Sequence, residues 1–225
     1  MPVRVSVISV SIRPKGLDII QKCLAEQTFP FEDFEWLTEL SVPPKCNYDL
    51  NKAYNRALRR AKGELVVSLQ DYIKVTPQYL EKFWKAYQEN PKTFFTAPVG
   101  KTDKEDFTGN IRWDWRAYKD AKPDWKCWEI DSGAAPRQAL FDIGGFDEEL
   151  DGKWSCDNIN VGFRADKSGY RFMNLFDNPA VAYDHDAFIP NPFRKVGKDF
   201  EKVVQFNAQR MREIEMGELK INYLY

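Results

Sequence analysis

The chain has 225 residues, enough for one large domain with a real core, and its 43% hydrophobic and 30% charged residues exclude a disordered chain. A formal net charge of -1 excludes an overall positive field of the kind that gathers nucleic acid or anionic lipid. Four scattered cysteines, Cys23, Cys46, Cys127 and Cys156, make no CxxC pair, which argues against a thiolate zinc site and a disulfide framework.

The opening MPVRVSVISVSIRP is too interrupted for a signal peptide, and no apolar run nears the roughly 20 residues needed to span a bilayer. A cytoplasmic protein is expected. Residues 3–11 alternate small and β-branched side chains and predict a buried first strand. Arg13-Pro14-Lys15-Gly16 breaks it, and apolar residues at Leu17, Ile20, Cys23 and Leu24 predict a helix over 17–27. A second strand is expected over 34–40, ended by Pro43-Pro44. A second amphipathic helix follows over 48–61, stopped by Lys62-Gly63. Residues 65–69 (LVVSL) predict a third strand with Gln70-Asp71-Tyr72 at its carboxyl end.

A third helix is expected over 77–90 and a further strand over 93–99. Residues 100–129 are polar, irregular and rich in Trp. Beyond a turn after Ile130 come a short helix over 136–143, the Gly144-Gly145 break and a helix near 157–168. A strand pair, 170–174 with 180–183, would bring the single histidine, His185, back to the sheet edge. A charged amphipathic helix runs from about 198 to 216. It could dock on the core, pair with a copy of itself in a homodimer, or lie on a membrane surface; its mixed charges favour the first two.

Strand–helix alternation in the first half predicts right-handed crossovers and an α/β fold with a mostly parallel central sheet flanked by helices. Ligands in such sheets bind beyond the carboxyl ends of the strands. Residues Ser9, Ser11, Arg13, Glu39, Gln70 and Asp71 all fall at that edge. Neither GxGxxG nor GxxxxGK[ST] is present, which excludes the dinucleotide fingerprint and the P-loop.

Three acidic or imidazole positions stand out. Asp71 follows a buried strand, where a carboxylate can hold a divalent metal beside a diphosphate; the plain alternative is a turn or helix-cap aspartate. Asp157, with Asn158, starts a predicted helix beside Trp154. Burial there would raise its affinity for a proton and suit it to general-base work, against the alternative of a simple N-cap. His185, flanked by Asp184 and Asp186, is either a metal or diphosphate ligand or an ordinary surface or core histidine. Trp113, Trp115, Tyr118, Trp125 and Trp128 cluster in the irregular segment. They either offer faces to sugar rings or bases, or merely cover the sheet. Arg112, Arg116, Lys119, Lys122 and Lys126 are interleaved with them, the one feature that favours a nucleic-acid acceptor.

Five segments in order resemble the inverting, nucleotide-sugar-dependent family 2 glycosyltransferases of GT-A fold. They are SVISVSIRP with the helix carrying LAEQTFP, then DLNKAYNRALRRAKGELVVSLQD with Asn51, Ala53 and Asn55, then RQALFDIGGFDEEL, SCDNINVGFRADKSGYRF and AVAYDH. The resemblance spans about residues 5–185. It implies a GT-A domain over 1–190, with a nucleotide-sugar half (1–99) and an acceptor and catalytic half (100–190), followed by a C-terminal helical extension (191–225). It implies a UDP-sugar donor whose base and ribose are cradled by the turn at Ser9, Ser11 and Arg13, by Glu39 and by the segment holding Asn55 and Gln70. Asp71 and His185 would hold Mn2+ or Mg2+ on the diphosphate. Asp157 would deprotonate the acceptor hydroxyl, with Trp113, Trp115, Trp128, Trp154 and Asn158 around a glycan or other hydroxyl-bearing acceptor. The family's DxD stands here as Gln70-Asp71-Tyr72, its VDDGS as ELSVPP, and its ED as Cys156-Asp157-Asn158. Two other readings compete: transfer to a hydroxylated base in DNA, and a non-catalytic sugar- or nucleotide-binding module that kept the fold after the DxD decayed.

Overall fold

The computed structural model describes residues 2–40, 49–114, 122–152, 157–183 and 200–225. Strand β1 (Val5–Ser11) is buried along its whole length. Val5 and Val7 point into one helical layer while Ile8 and Val10 point into the other, the period of two expected of a strand covered on both faces. Strands β2 (Phe34–Leu40) and β3 (Leu65–Ser68) pair parallel on its two sides, with Val7 opposite both Trp36 and Val67.

Helix α1 (Leu17–Ala25) buries Leu17, Ile20, Cys23 and Leu24, and α3 (Tyr79–Glu89) adds Tyr79, Leu80 and Phe83 to the same layer. On the opposite face, α2 (Leu50–Arg60) contributes Ala53, Tyr54, Ala57 and Leu58. It is joined there by α4 (Arg137–Asp142) and α5 (Asp157–Lys167). Each of these large apolar side chains contributes about 2 kcal/mol when taken out of water, so the stripes at helical spacing are what fix the layers.

The six-stranded sheet has the order β2-β1-β3-β8-β5-β9, where β5 is Thr93–Thr96, β8 Gly133–Pro136 and β9 Arg171–Asn174. Five strands run one way and β8 runs against them. The sheet is therefore mostly parallel, as expected. A four-stranded sheet, β4-β10-β6-β7, lies beside it, built from Ile73–Val75, Val99–Thr102, Arg112–Trp113 and Ala180–Tyr183 (β4, β6, β7 and β10).

Four local expectations change. The strand expected over 93–99 is two strands, because Ala97-Pro98 interrupts the ladder and sends β5 and β6 to different sheets. Strands β9 and β10 exist but are not partners; β9 pairs with β5 and β10 with β6 and β4. The segment expected to be irregular contains β6 residues and β7. Strand β8, of sequence GAAP, carries no alternating signal, yet it sits in the middle of the sheet. Small residues are required there: a Cβ on Gly133 would come within 2.3 Å of the Glu129 carbonyl and 2.8 Å of the Trp128 indole nitrogen.

The C-terminal helix α6 (Phe200–Glu215) docks on the core. Arg210 grips the buried Asp147 through Nε (2.5 Å) and Nη2 (2.8 Å), and Asn160 Nδ2 donates to Asn207 Oδ1 (3.0 Å). The chain end then lies on the Gly144-Gly145 turn, where the Tyr223 amide donates to the Gly144 carbonyl. Gly144 has φ +79°, and any side chain there would strike the backbone of Ile221. Among the described residues no helix is long and apolar enough to cross a membrane.

Candidate active site

From β1 the chain crosses to β2 on one side and later to β3 on the other, so the strand order reverses beside β1. A crevice opens at such a switch point, outside the carboxyl ends of the strands. Ser11 ends β1, Arg13 follows by two residues, and Asp71 stands three residues past the end of β3. Asp71 Oδ2 accepts from Ser11 Oγ (2.6 Å) and Arg13 Nε (3.0 Å), and its Oδ1 accepts from Arg13 Nη2 (2.9 Å). Ser11 Oγ in turn accepts from the Arg13 amide at 2.7 Å.

The turn carrying Asp71 is held rigidly. Tyr72 adopts φ 60°, a conformation that non-glycine residues seldom take and that persists only where neighbours enforce it. Its amide donates to the Gly16 carbonyl and its own carbonyl accepts from the Tyr183 amide. A Cβ on Gly16 would lie 2.5 Å from the Tyr72 ring and 2.7 Å from the Asp71 Cβ, so only glycine allows this approach. The Arg13 guanidinium lies 5.8 Å from the centre of the Tyr72 ring.

The second cluster lies at the start of α5. Asp157 is buried, and Asn51 Nδ2 donates to its Oδ1 at 2.6 Å. The same Nδ2 donates to Asp151 Oδ1 at 3.0 Å. Asp151 also accepts from the amides of Asn51 (2.7 Å) and Lys52 (3.1 Å), and so caps α2 from a distant part of the chain. Burial pushes the Asp157 carboxyl up to about 7; the nearby charges of Asp151 and Asp147 add to this and the Asn51 hydrogen bond opposes it. Burial also raises Asp151 above the usual carboxylate range.

Tyr54 ties α2 to β3. Its hydroxyl shares a 2.6 Å hydrogen bond with Ser68 Oγ on β3, and Ser68 Oγ also reaches the Ile130 carbonyl. Burial raises this phenol, and the charges of Asp131, Asp71 and Asp157 all reach it in the same direction.

The other expected site residues divide three ways. Gln70 is half-buried beside Asp71, Asn158 is half-buried with its Nδ2 donating to the Trp128 carbonyl, and Trp113 is exposed on β7. Three expectations need correction. Trp128 is core: it is 2% exposed, tilted edge-on against Phe94, and its Nε1 donates to the Ala134 carbonyl, so it has no face for an acceptor. Asn55 is fully buried and spends its amide on the GGFDE loop, donating to Phe146 and Glu148 oxygens and accepting from the Phe146 amide. Ser9 is fully buried, with its Oγ accepting from Trp36 Nε1. Glu39, at the carboxyl end of β2, is bound to Arg56 (3.0 Å) and Arg60 (2.6 Å) and so ties β2 to α2; these partly exposed bridges do not decide its expected place beside the donor. Trp115, Trp154 and His185 lie outside the described residues.

Sequence patterns assigned no role to Asp151 or Tyr54, and quoted Asn51 only within a motif. No sequence signal pointed to Asp151: Asp49 stands where the N-cap of α2 belongs, and only the structure shows that it makes no side-chain cap and that the remote Asp151 takes the Asn51 and Lys52 amides.

Among the described residues, the donor set around Asp71 does not suit a divalent metal. Hard cations prefer several oxygen ligands, carboxylates foremost. Among the described residues Asp71 is the carboxylate that follows β3, and both its oxygens already accept hydrogen bonds, two of them from the Arg13 guanidinium. Among the described residues no group of three His, Cys, Asp or Glu could hold a metal ion.

No family model matches the chain. Residues 1–349 of S. aureus TarS match it with a TM-score of 0.65 at 18% identity, over 92% of this chain and 65% of that one. The same TarS region in complex with UDP gives 0.64 at 18% identity, again over 65% of that chain. GalNAc-T7 with UDP, GalNAc and Mn2+ gives 0.62 at 10% identity, over 94% of this chain and 50% of that one. The architecture is the GT-A fold. In sequence, the "Probable N-acetylgalactosaminyltransferase 9" of Caenorhabditis elegans is 31% identical over 91 residues, 40% of this chain and 15% of that protein. The chain thus spans less than two thirds of each of these relatives.

Proposed function

We propose that this chain is an inverting glycosyltransferase of the family 2 type that moves a sugar from a UDP-sugar to an acceptor hydroxyl. The observation that carries this is Asp157: a buried carboxyl pushed up to about 7, hydrogen-bonded to Asn51, on a GT-A framework. TarS and GalNAc-T7 were both solved with UDP, which supports the donor.

In the proposed step, the acceptor O–H transfers its proton to Asp157 as its oxygen attacks the anomeric carbon. The bond from that carbon to the β-phosphate oxygen breaks, and its electron pair leaves with the UDP. One displacement inverts the centre. Asn51 keeps the receiving oxygen in place, and Asp151 keeps Asn51 in place. Ser11, Arg13, Gln70 and Asp71 border the donor, while Trp113 and Asn158 face the acceptor side. The departing UDP needs a cation beside it. GalNAc-T7 was solved with Mn2+, the usual form of that cation, but Asp71 is already bound to Arg13 and Ser11 and suits a metal poorly. Arg13 is the cation these residues offer.

The test is release of UDP from UDP-Glc, UDP-GlcNAc and UDP-GalNAc with saccharide, glycolipid and hydroxymethylated DNA acceptors. Turnover is expected with at least one donor and roughly 100-fold less or lower in Asp157→Asn. A binding module without catalysis would release no UDP from any pair. Equal turnover by Asp157→Asn would remove the base assignment.

A further inference from the structure

We propose that Arg13, anchored by Asp71, is the cation that meets the donor diphosphate, so that donor binding in this chain needs no divalent metal. This deepens the glycosyltransferase reading and rests on it, since the ligand is the diphosphate of the donor nucleotide.

Placement comes first. Arg13 and Asp71 stand at the carboxyl ends of β1 and β3, at the switch point of the strand order, where an α/β sheet receives its ligand. The order of the two side chains is the second point. The Arg13 side chain is 16% exposed and that of Asp71 only 4%, so the arginine is the more accessible of the pair and the carboxylate the more deeply held. An acid that served as a metal ligand would have to present its oxygens outward. Here Oδ1 and Oδ2 both face Arg13, and Oδ2 also faces Ser11.

Charge and chemistry agree with that order. A divalent ion on Asp71 would sit against a guanidinium already held at 2.9 and 3.0 Å, with like charges side by side. The residues flanking Asp71 in the chain are Gln70 and Tyr72, neither of them anionic, so the further carboxylates of a DxD are missing. Guanidinium stays charged at every physiological pH and its planar fork matches phosphate oxygens. Arg13 is also oriented before any ligand arrives: its amide is tied to Ser11 Oγ, its Nε and Nη2 to Asp71, and its guanidinium rests near the Tyr72 ring. Such preorganisation lowers the entropy lost on binding. Asp71 is then a positioning residue that aims a cation.

The experiment is a calorimetric titration of the whole protein with UDP in EDTA, in Mn2+ and in Mg2+. The expected result is a Kd that agrees within about threefold in all three buffers. Arg13→Ala should weaken UDP binding roughly 10- to 100-fold, as loss of charge-assisted bonds does, with Arg13→Lys in between. Because Arg13→Ala leaves a buried carboxylate unpaired, a double variant, Arg13→Gln with Asp71→Asn, removes both charges at similar volume. It should melt near the native temperature and still lose UDP affinity. Binding that appears only with Mn2+ or Mg2+, or native affinity in the double variant, would overturn the arginine assignment and leave the glycosyltransferase reading standing. No binding of UDP, GDP, CDP or dTDP in any buffer would bring down both.

Discussion

Asp71 and Asp157 are both buried aspartates beyond the sheet, and their surroundings are opposite. Asp71 meets a guanidinium and a serine hydroxyl, so its charge is compensated. Asp157 meets an amide, and the charges that reach it come from two further acids, Asp151 and Asp147. The partner decides what the acid can do. A compensated carboxylate holds a cation in place, whereas an uncompensated one is poised to accept a proton near neutral pH. Asp147 belongs with Asp71, since Arg210 grips both its oxygens.

The largest expected effect that sharpens this contrast is on rate. Asp157→Asn should lower kcat by about 10²–10⁴ with little change in KM for the donor, because the lost group acts only on the proton. UDP release under saturating donor checks this. Next is the stability of the same variant. The folded pKa of Asp157 lies near 7, above its value of 3.8 when unfolded, so its stabilising contribution is present below about pH 4 and is lost as pH rises to 7. Asp157→Asn should therefore unfold at higher denaturant than the native chain at pH 8, by up to ~4 kcal/mol, and the gap should close toward pH 4. Equal urea midpoints at both pH values would show that Asp157 is compensated after all.

Breaking the compensated pair should act the other way. Arg210→Ala leaves Asp147 buried without its cation and should cost roughly 3 kcal/mol, read from denaturant unfolding at pH 7. The smallest effect concerns Asp151. Asp151→Asn removes one of the charges that raise Asp157 while an amide side chain keeps an oxygen for the α2 amides. The acid limb of the kcat/KM profile, expected near pH 7, should shift downward by about half a unit to one unit, with the plateau above pH 8 nearly unchanged.

Much of the frame was legible in the sequence because it rests on local periodicity. The alternation in β1 and the stripe Leu17, Ile20, Cys23 and Leu24 each declare one strand or one helix face, and both appear where expected. The position of Asp71 after a buried strand and of Asp157 at a helix start was legible for the same reason. The second sheet was not. Its strands are two to four residues long, too short for a pattern, and their pairing joins segments far apart in the chain. The place of Trp128 was not legible, because a tryptophan in a polar segment looks the same whether its ring faces a ligand or fills the space beside Phe94.

The sequence by itself determined the α/β alternation and the placing of Asp71 just past a buried strand and of Asp157 at a helix start, since each depends on residues a few positions apart. Only the tertiary structure decided what each acid meets. The Arg13–Asp71 pair spans 58 residues and the Asn51–Asp157 bond spans 106. Charge compensation depends on distances of about 3 Å between such remote groups, and no local pattern encodes a distance across the fold.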